Sequence, residues 1–321
     1  MRLTREIFPA RSRLGLVLAA VGGLALAACT EPQKTAAFCP IGDGETSSRV
    51  AAGPFGGPFV TPLSSNDVQE LFAGGQAATG HRAFQERPLA LAASLPPDLD
   101  SLGDVERRKQ AFVGIVLPLA HQTNQAILTD RRFVEAAVAC KDAGKPLSPE
   151  AQARMDALFA TYKADGRLDT LRRRLDVVPP SLLLAQAAIE SGWGTSRFAR
   201  EGNALFGQRT TAADSGIKPQ GLEETTPVRV ATFPHLLASV GAYIHNLNTQ
   251  PAYKAFRERR AALRAEGRQP DGFDLAATLI AYSERGYAYV GDLRTIIRGN
   301  RFDALDADQI ISNVAAVESD A

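Results

Sequence analysis

Residues 185–194 read AQAAIESGWG: an apolar helical run that carries one carboxylate, Glu190, and then breaks at Ser191-Gly192-Trp193-Gly194. Upstream, Pro179-Pro180-Ser181 is a helix start, and Leu182, Ala185 and Ile189 fall on one face at steps of three and four. Leu183, Gln186 and Glu190 share a neighbouring face, so a polar ridge runs beside the buried stripe and ends at Glu190. A Glu in the last turn meets the negative end of the helix dipole, and packing against Trp193, the only Trp of the chain, would desolvate it. Both effects raise a carboxyl pKa, which is what a proton donor near neutral pH requires.

Outward from this segment the pattern is mainly helical. Apolar residues recur at helical spacing from Asp104 (Phe112, Ile115, Val116, Leu119), with Pro118 expected to kink or divide the helix. Ser148-Pro149-Glu150 caps a second helix and residues 167–175 form a third. Thr195 or Ser196 caps a short one after the central run. Residues 227–233, PVRVATF, alternate like a strand, with a partner expected at 218–225. Helices are expected again at 235–248, 251–265, 273–283 and 289–299.

The N-terminus reads differently. Arg2, Arg5, Arg11 and Arg13 precede the uncharged run LGLVLAAVGGLALAA, whose length suits a signal-peptide core rather than a bilayer span. It ends in Leu26-Ala27-Ala28-Cys29, similar to a bacterial lipobox, so Cys29 is the expected lipidation site and the anchor implies a membrane partner. Thr30 after the Cys favours the outer membrane by resemblance to lipoproteins, which gives a periplasmic, lipid-anchored chain. Loss of residues 1–28 leaves 32 basic against 34 acidic residues. Neither that balance nor the whole-chain charge of +1 marks a nucleic-acid binder. Cys39 and Cys140 are a candidate disulfide. No metal site and no cofactor is implied.

The block VVPPSLLLAQAAIESGWGTSRFAREGNALFGQ resembles the catalytic region of bacterial glucosaminidase-type peptidoglycan hydrolases, nearest to the Bax branch. Gly-Asn-Ala-Leu-Phe-Gly at 202–207 is similar to the family's G-N-N-L-F-G, with Ala204 in place of the second Asn. NLNTQPAYKAFRERRAALR and LIAYSERGYAYVGDLRTIIR extend the likeness, which is dense from 178 to 300. It implies a mainly α (α+β) fold: a lysozyme-like helical domain with one small β-hairpin lobe, preceded by N-terminal helices. The expected divisions are a signal peptide (1–28), a lipid-attached linker with a short helical piece (29–103), a helical subdomain (104–177), the catalytic domain (178–302) and a tail (303–321).

The resemblance makes Glu190 the catalytic acid and peptidoglycan glycan strands the partner, cut at the β-1,4 bond after N-acetylglucosamine. Trp193, Asn203, Phe206, Tyr282 and Tyr289 are the expected substrate-binding residues. Glycosidic cleavage also needs help at the far face of the sugar, usually from a second carboxylate. Asp214, Glu223 and Glu224, in or near the expected hairpin, are the candidates, and the substrate's own acetamido group is the other route. A muramidase or lytic transglycosylase, or a non-catalytic wall-binding lipoprotein, are the alternative readings.

Overall fold

The computed structural model describes residues 38–39, 59–60, 64–65, 68, 91–211, 216–221 and 228–307. The expected signal segment with Cys29 lies outside them, as do Asp214 (in 212–215), Glu223 and Glu224 (in 222–227) and the last 14 residues. The element order is β1 (Phe59–Val60), β2 (Leu91–Ala92), α1 (Val105–Asp142), α2 (Pro149–Thr161), α3 (Leu168–Arg174), α4 (Pro180–Ser191), α5 (Arg197–Gly202), β3 (Arg209–Thr210), β4 (Arg229–Val230), α6 (Leu236–Thr249), α7 (Lys254–Ala265), α8 (Gly272–Ala276) and α9 (Tyr287–Gly299). The fold is mostly helical with a small two-stranded sheet beside the site.

Helix α4 is the centre. Residues 181–188 are all buried, and α1, α8 and α9 pack around it. An all-apolar helix of this kind is stable only when enclosed, because its propensity contributes little compared with burial. Its N-cap is Pro179, which has no side-chain acceptor to offer. The acceptor comes from far along the chain instead. The buried Asp306 carboxylate takes the Ser181 N–H at 3.0 Å, the Ser181 hydroxyl at 2.6 Å and the Gly272 N–H at 2.8 Å. Phe302, the last residue of the expected catalytic domain, and Asp306, near the start of the expected tail, are therefore part of the buried interior.

Helix α1 runs unbroken through Pro118, so of the two outcomes expected there, a kink or a division, the division does not occur. A proline costs a helix interior about 3 kcal/mol. Here Leu117, Pro118, Leu119 and Ala120 are all buried, and that burial outweighs the missing hydrogen bond. The caps expected from sequence are in place: Ser148 accepts from Ala151 N–H (3.1 Å) and Ser196 from Ala199 N–H (3.2 Å). A Cys39–Cys140 disulfide closes a separation of 101 residues, with Cα atoms 6.0 Å apart.

Three expectations need correction. Among the described residues, the strand at 229–230 pairs antiparallel with Arg209–Thr210, not with 218–221, and Ile217 bridges Val230; 222–225 lie outside the described residues. The chain leaving the left-handed Gly207 is already extended and lies next to Val230, with Ala231 N–H bonded to Gln208 O at 2.7 Å. The 273–283 helix stops at Ala276, and a separate turn of 3-10 helix, Ile280–Tyr282, presents Tyr282. Finally, the expected 29–103 linker contributes strand structure: Phe59 and Val60 pair in parallel with Leu91 and Ala92. Nearby, Ser65 donates its N–H and hydroxyl to Asp98, while Leu95 and Leu99 enter the same core as α1 and α4.

Candidate active site

The end of α4 explains the ESGWG segment. Gly192, Trp193 and Gly194 all take positive φ (59°, 56° and 82°), so the chain turns back on itself within three residues. The Ser191 hydroxyl locks the turn, donating to Ala187 O (2.6 Å) and accepting from Gly194 N–H (2.9 Å). A side chain at Gly194 would run into Leu99, Phe112 and Leu95, so the backbone lies directly on α1 and the segment before it. The turn ends the helix at a fixed point, which fixes where Glu190 projects.

Glu190 is half-buried. Its Oε1 accepts a hydrogen bond from the Tyr289 hydroxyl at 2.8 Å. On its other side Oε2 faces Gly207, where an added Cβ would stand 3.6 Å away. Burial pushes the Glu190 carboxyl above its ordinary value, and the Tyr289 hydrogen bond opposes that rise. The direction expected from sequence holds, and burial, one of its two expected causes, is the largest. Trp193 packs edge-on against Phe112 (5.8 Å between centroids) and tilted against Phe302 (6.4 Å), with the Lys109 ammonium over its ring. The aromatic residue that meets the carboxylate is Tyr289.

Tyr289 sits on α9 and is 1% exposed. Tyr282 stacks parallel to it at 5.6 Å and donates its hydroxyl to Phe206 O at 3.2 Å. Tyr253 lies tilted 5.9 Å beyond Tyr282. Phe206 is 2% exposed and stacks on the buried Tyr243 at 3.9 Å, so its ring stands behind the site, not in an open lining. Asn203, in the left-handed region at φ 53°, spends an amide N–H on Phe233 O (3.0 Å), which fastens the 231–234 segment; its Oδ1 is buried without a protein partner. The half-exposed groups nearest the acid are thus Tyr282 and Tyr253, with Gly207 opposite.

Besides Tyr253, two residues outside the sequence-based set belong to the arrangement. The Gln186 amide N–H donates to the Tyr289 hydroxyl (3.0 Å), and the Tyr243 hydroxyl donates to the Gln186 carbonyl (2.5 Å). Gln186 could be seen in the polar ridge of α4, one turn before Glu190. Tyr243 and Tyr253 gave no comparable signal, since a lone Tyr on an apolar helix reads as core. Among the described residues no cluster of His, Cys, Asp and Glu could hold a metal ion.

One half-buried acid held by a tyrosine among stacked aromatic rings fits a glycoside hydrolase. Comparison with known sequences gives this class its name. The profile of the glucosaminidase family, mannosyl-glycoprotein endo-beta-N-acetylglucosaminidase, matches residues 168–301, from α3 to the end of α9. Protein bax of Escherichia coli (strain K12) is 34% identical over 227 residues, which cover 67% of this chain and 77% of Bax. The chain belongs to the glucosaminidase family, and it is Bax-like within it. The catalytic domain of the autolysin Auto from Listeria monocytogenes aligns over 50% of this chain and 100% of its own length, at 20% identity and a TM-score of 0.32.

Proposed function

We propose that this protein hydrolyses peptidoglycan glycan strands at the β-1,4 bond that follows N-acetylglucosamine, with Glu190 as the general acid. The observation that carries the reading is the Glu190 carboxyl itself: half-buried, raised in pKa, and held on one oxygen by Tyr289 within the family-matched segment. In the forward step the O–H bond of protonated Glu190 breaks and its proton goes to the leaving glycosidic oxygen as the C1–O bond opens. The Tyr289 hydrogen bond then stabilises the carboxylate that remains. The positive charge developing at C1 is met by the substrate's own 2-acetamido oxygen, which closes on C1 as an oxazolinium; water then opens it and Glu190 takes back a proton. This route needs no second protein carboxylate. A carboxylate from Asp214, Glu223 or Glu224 activating water directly is the competing route.

The test is digestion of purified peptidoglycan with the mature protein and with Glu190→Gln, followed by borohydride reduction and mass spectrometry. The reading expects reduced N-acetylglucosamine ends from the wild type and none from the variant. Reduced N-acetylmuramic acid or a 1,6-anhydro product would move the protein to the muramidases or lytic transglycosylases. Retention on the wall without products from either protein would make it a wall-binding protein. Anomeric configuration, read by proton NMR on fresh products, separates the routes: retention supports acetamido assistance, and inversion a hairpin carboxylate.

The same reading places the protein in the periplasm, held to the outer membrane through acyl chains on Cys29. Metabolic labelling with an alkyne fatty acid tests this. Label should be lost in Cys29→Ala, and label that persists there would refute the anchor.

A further inference from the structure

The hydrogen bonds around Glu190 have a direction. Tyr243 is fully buried and packed flat on Phe206, and its hydroxyl proton is committed to the Gln186 carbonyl oxygen. An amide carbonyl only accepts, so this bond sets the rotation of the amide and turns its N–H toward Tyr289. That N–H occupies a lone pair of the Tyr289 oxygen at 3.0 Å. The one proton Tyr289 owns is then left for Glu190 Oε1, at 2.8 Å. The reversed chain would leave the buried Tyr243 proton without the acceptor it now has, which is an unfavourable state for a group with no water to turn to. Gln186 is itself 0% exposed and sits one turn before Glu190 on the same rigid helix.

We propose that Tyr243 and Gln186 are positioning residues, forming a one-way relay that keeps the Tyr289 hydroxyl proton on Glu190 Oε1 and so confines the transferable acid proton to Oε2. Of the two oxygens, Oε2 is the one that faces Gly207, an exposed residue, whereas Oε1 faces buried Tyr289. The relay therefore selects which oxygen delivers the proton, and it rests on the reading of Glu190 as the acid. It also explains the fully buried Gln in a helix whose buried side chains are mostly Leu and Ala. A glutamine there is costly to desolvate unless both ends of its amide are used, and both are.

Among the described residues, the titratable groups that act on Glu190 are four tyrosines: Tyr289 from α9, Tyr282 from the 280–282 turn, Tyr243 from α6 and Tyr253 from the 251–253 turn. Burial raises all four, so they stay neutral while Glu190 titrates. The 202–207 loop brings the backbone of Gly207.

The experiment follows the Glu190 side-chain carboxyl by carbon-13 NMR through a pH titration, its signal assigned by its disappearance in Glu190→Gln. Tyr289→Phe removes the hydrogen bond and should make Glu190 titrate at higher pH. Tyr243→Phe and Gln186→Leu should move it the same way, with every one of the proposed contacts at Tyr289 and Glu190 left chemically present in Tyr243→Phe. The double variant Tyr243→Phe/Tyr289→Phe should titrate where Tyr289→Phe alone does, because both act through one bond. Ile244→Val, a buried change on the same helix, should leave the titration where it is. In turnover the relay variants should lose kcat on the order of tenfold with KM retained. A Glu190 titration unmoved by both Tyr243→Phe and Gln186→Leu, or shifts that simply add in the double variant, would overturn the relay. A wild type that yields no glycan fragments while its carboxyl responds as described would leave the relay standing and remove the proposed function.

Discussion

Gly194→Ala isolates the turn that carries the site. The residue has φ +82°, where an alanine is disfavoured by about 1–2 kcal/mol. Its new methyl would stand 2.8 Å from Leu99 Cδ2, 3.0 Å from Phe112 Cδ2 and 3.2 Å from Leu95 Cδ1. All three are core side chains at 6% exposure or less, so none can swing into solvent. Overpacking of this kind costs about 1–3 kcal/mol, giving a total of about 2–5 kcal/mol. For a domain of this size each kcal/mol lowers the melting temperature by roughly 2–4 °C, so the variant should melt about 4–20 °C below wild type. Differential scanning calorimetry on the disulfide-intact protein measures it. The matched control is Gly291→Ala, in the middle of α9 with nothing within 4 Å of the new methyl, which should gain up to about 1 kcal/mol. If Gly194→Ala melts within a degree of wild type, the tight seating of the ESGWG turn on α1 is wrong, and with it the account of what fixes Glu190.

Three further expectations follow from buried charge and cross-linking. Asp176→Ala strips the counter-charge from Arg260, whose side chain is 1% exposed, and from Arg264, which grips both carboxylate oxygens at 2.7 Å. It should cost about 3–5 kcal/mol, read as a lowered denaturant midpoint. Reducing the Cys39–Cys140 bond releases a loop of about 100 residues, worth roughly 4–5 kcal/mol in the loop-closure account, so a reductant should lower the melting temperature of wild type but not of Cys39→Ser/Cys140→Ser. Burial holds the Asp306 carboxyl at about 6 against an ordinary 3.8. The folded state then keeps its proton where the unfolded chain has lost it, so this contribution is full below about pH 4 and disappears by about pH 6 as pH rises, a change of roughly 3 kcal/mol. Subtracting the melting curves of Asp306→Asn from wild type between pH 4 and 7 should reveal that slope, and a flat difference would refute it.

How much of this was legible depends on whether the cause is local. Helix α4, its end at Ser191 and the caps at Ser148 and Ser196 are written in neighbouring residues, and sequence reading finds them. The cap on α4 is not local, because Asp306 lies 125 residues from Ser181, and no spacing rule connects them. The same holds for the strand partner. Arg209–Thr210 carries too short a pattern to compete with 218–225, and its pairing follows from where Gly207 releases the chain. Trp193 is the instructive case. Its place beside Glu190 in sequence suggested contact, but three consecutive positive φ values turn its ring toward Phe112 and Phe302. Adjacent residues at a helix end need not face the same way, and only the backbone geometry decides.

The acid's environment also differs from the one inferred at the helix end. A dipole and an apolar wall would both push the carboxyl pKa in one direction, upward. The structure balances the two oxygens differently. Burial raises the pKa, while Tyr289 donates to Oε1 and lowers it. The hydrogen bond grows stronger as negative charge appears on the carboxylate, so it favours the product of proton transfer more than the starting acid. A donor whose pKa is raised by burial and whose carboxylate is stabilised once it has given its proton suits general acid catalysis. Tyr289→Phe is therefore informative beyond its pH profile. It should keep Glu190 protonated over a wider pH range and yet slow turnover at every pH, measured on reduced-end release from peptidoglycan. A variant that is faster at alkaline pH and unchanged below it would mean that Tyr289 acts only on the resting acid.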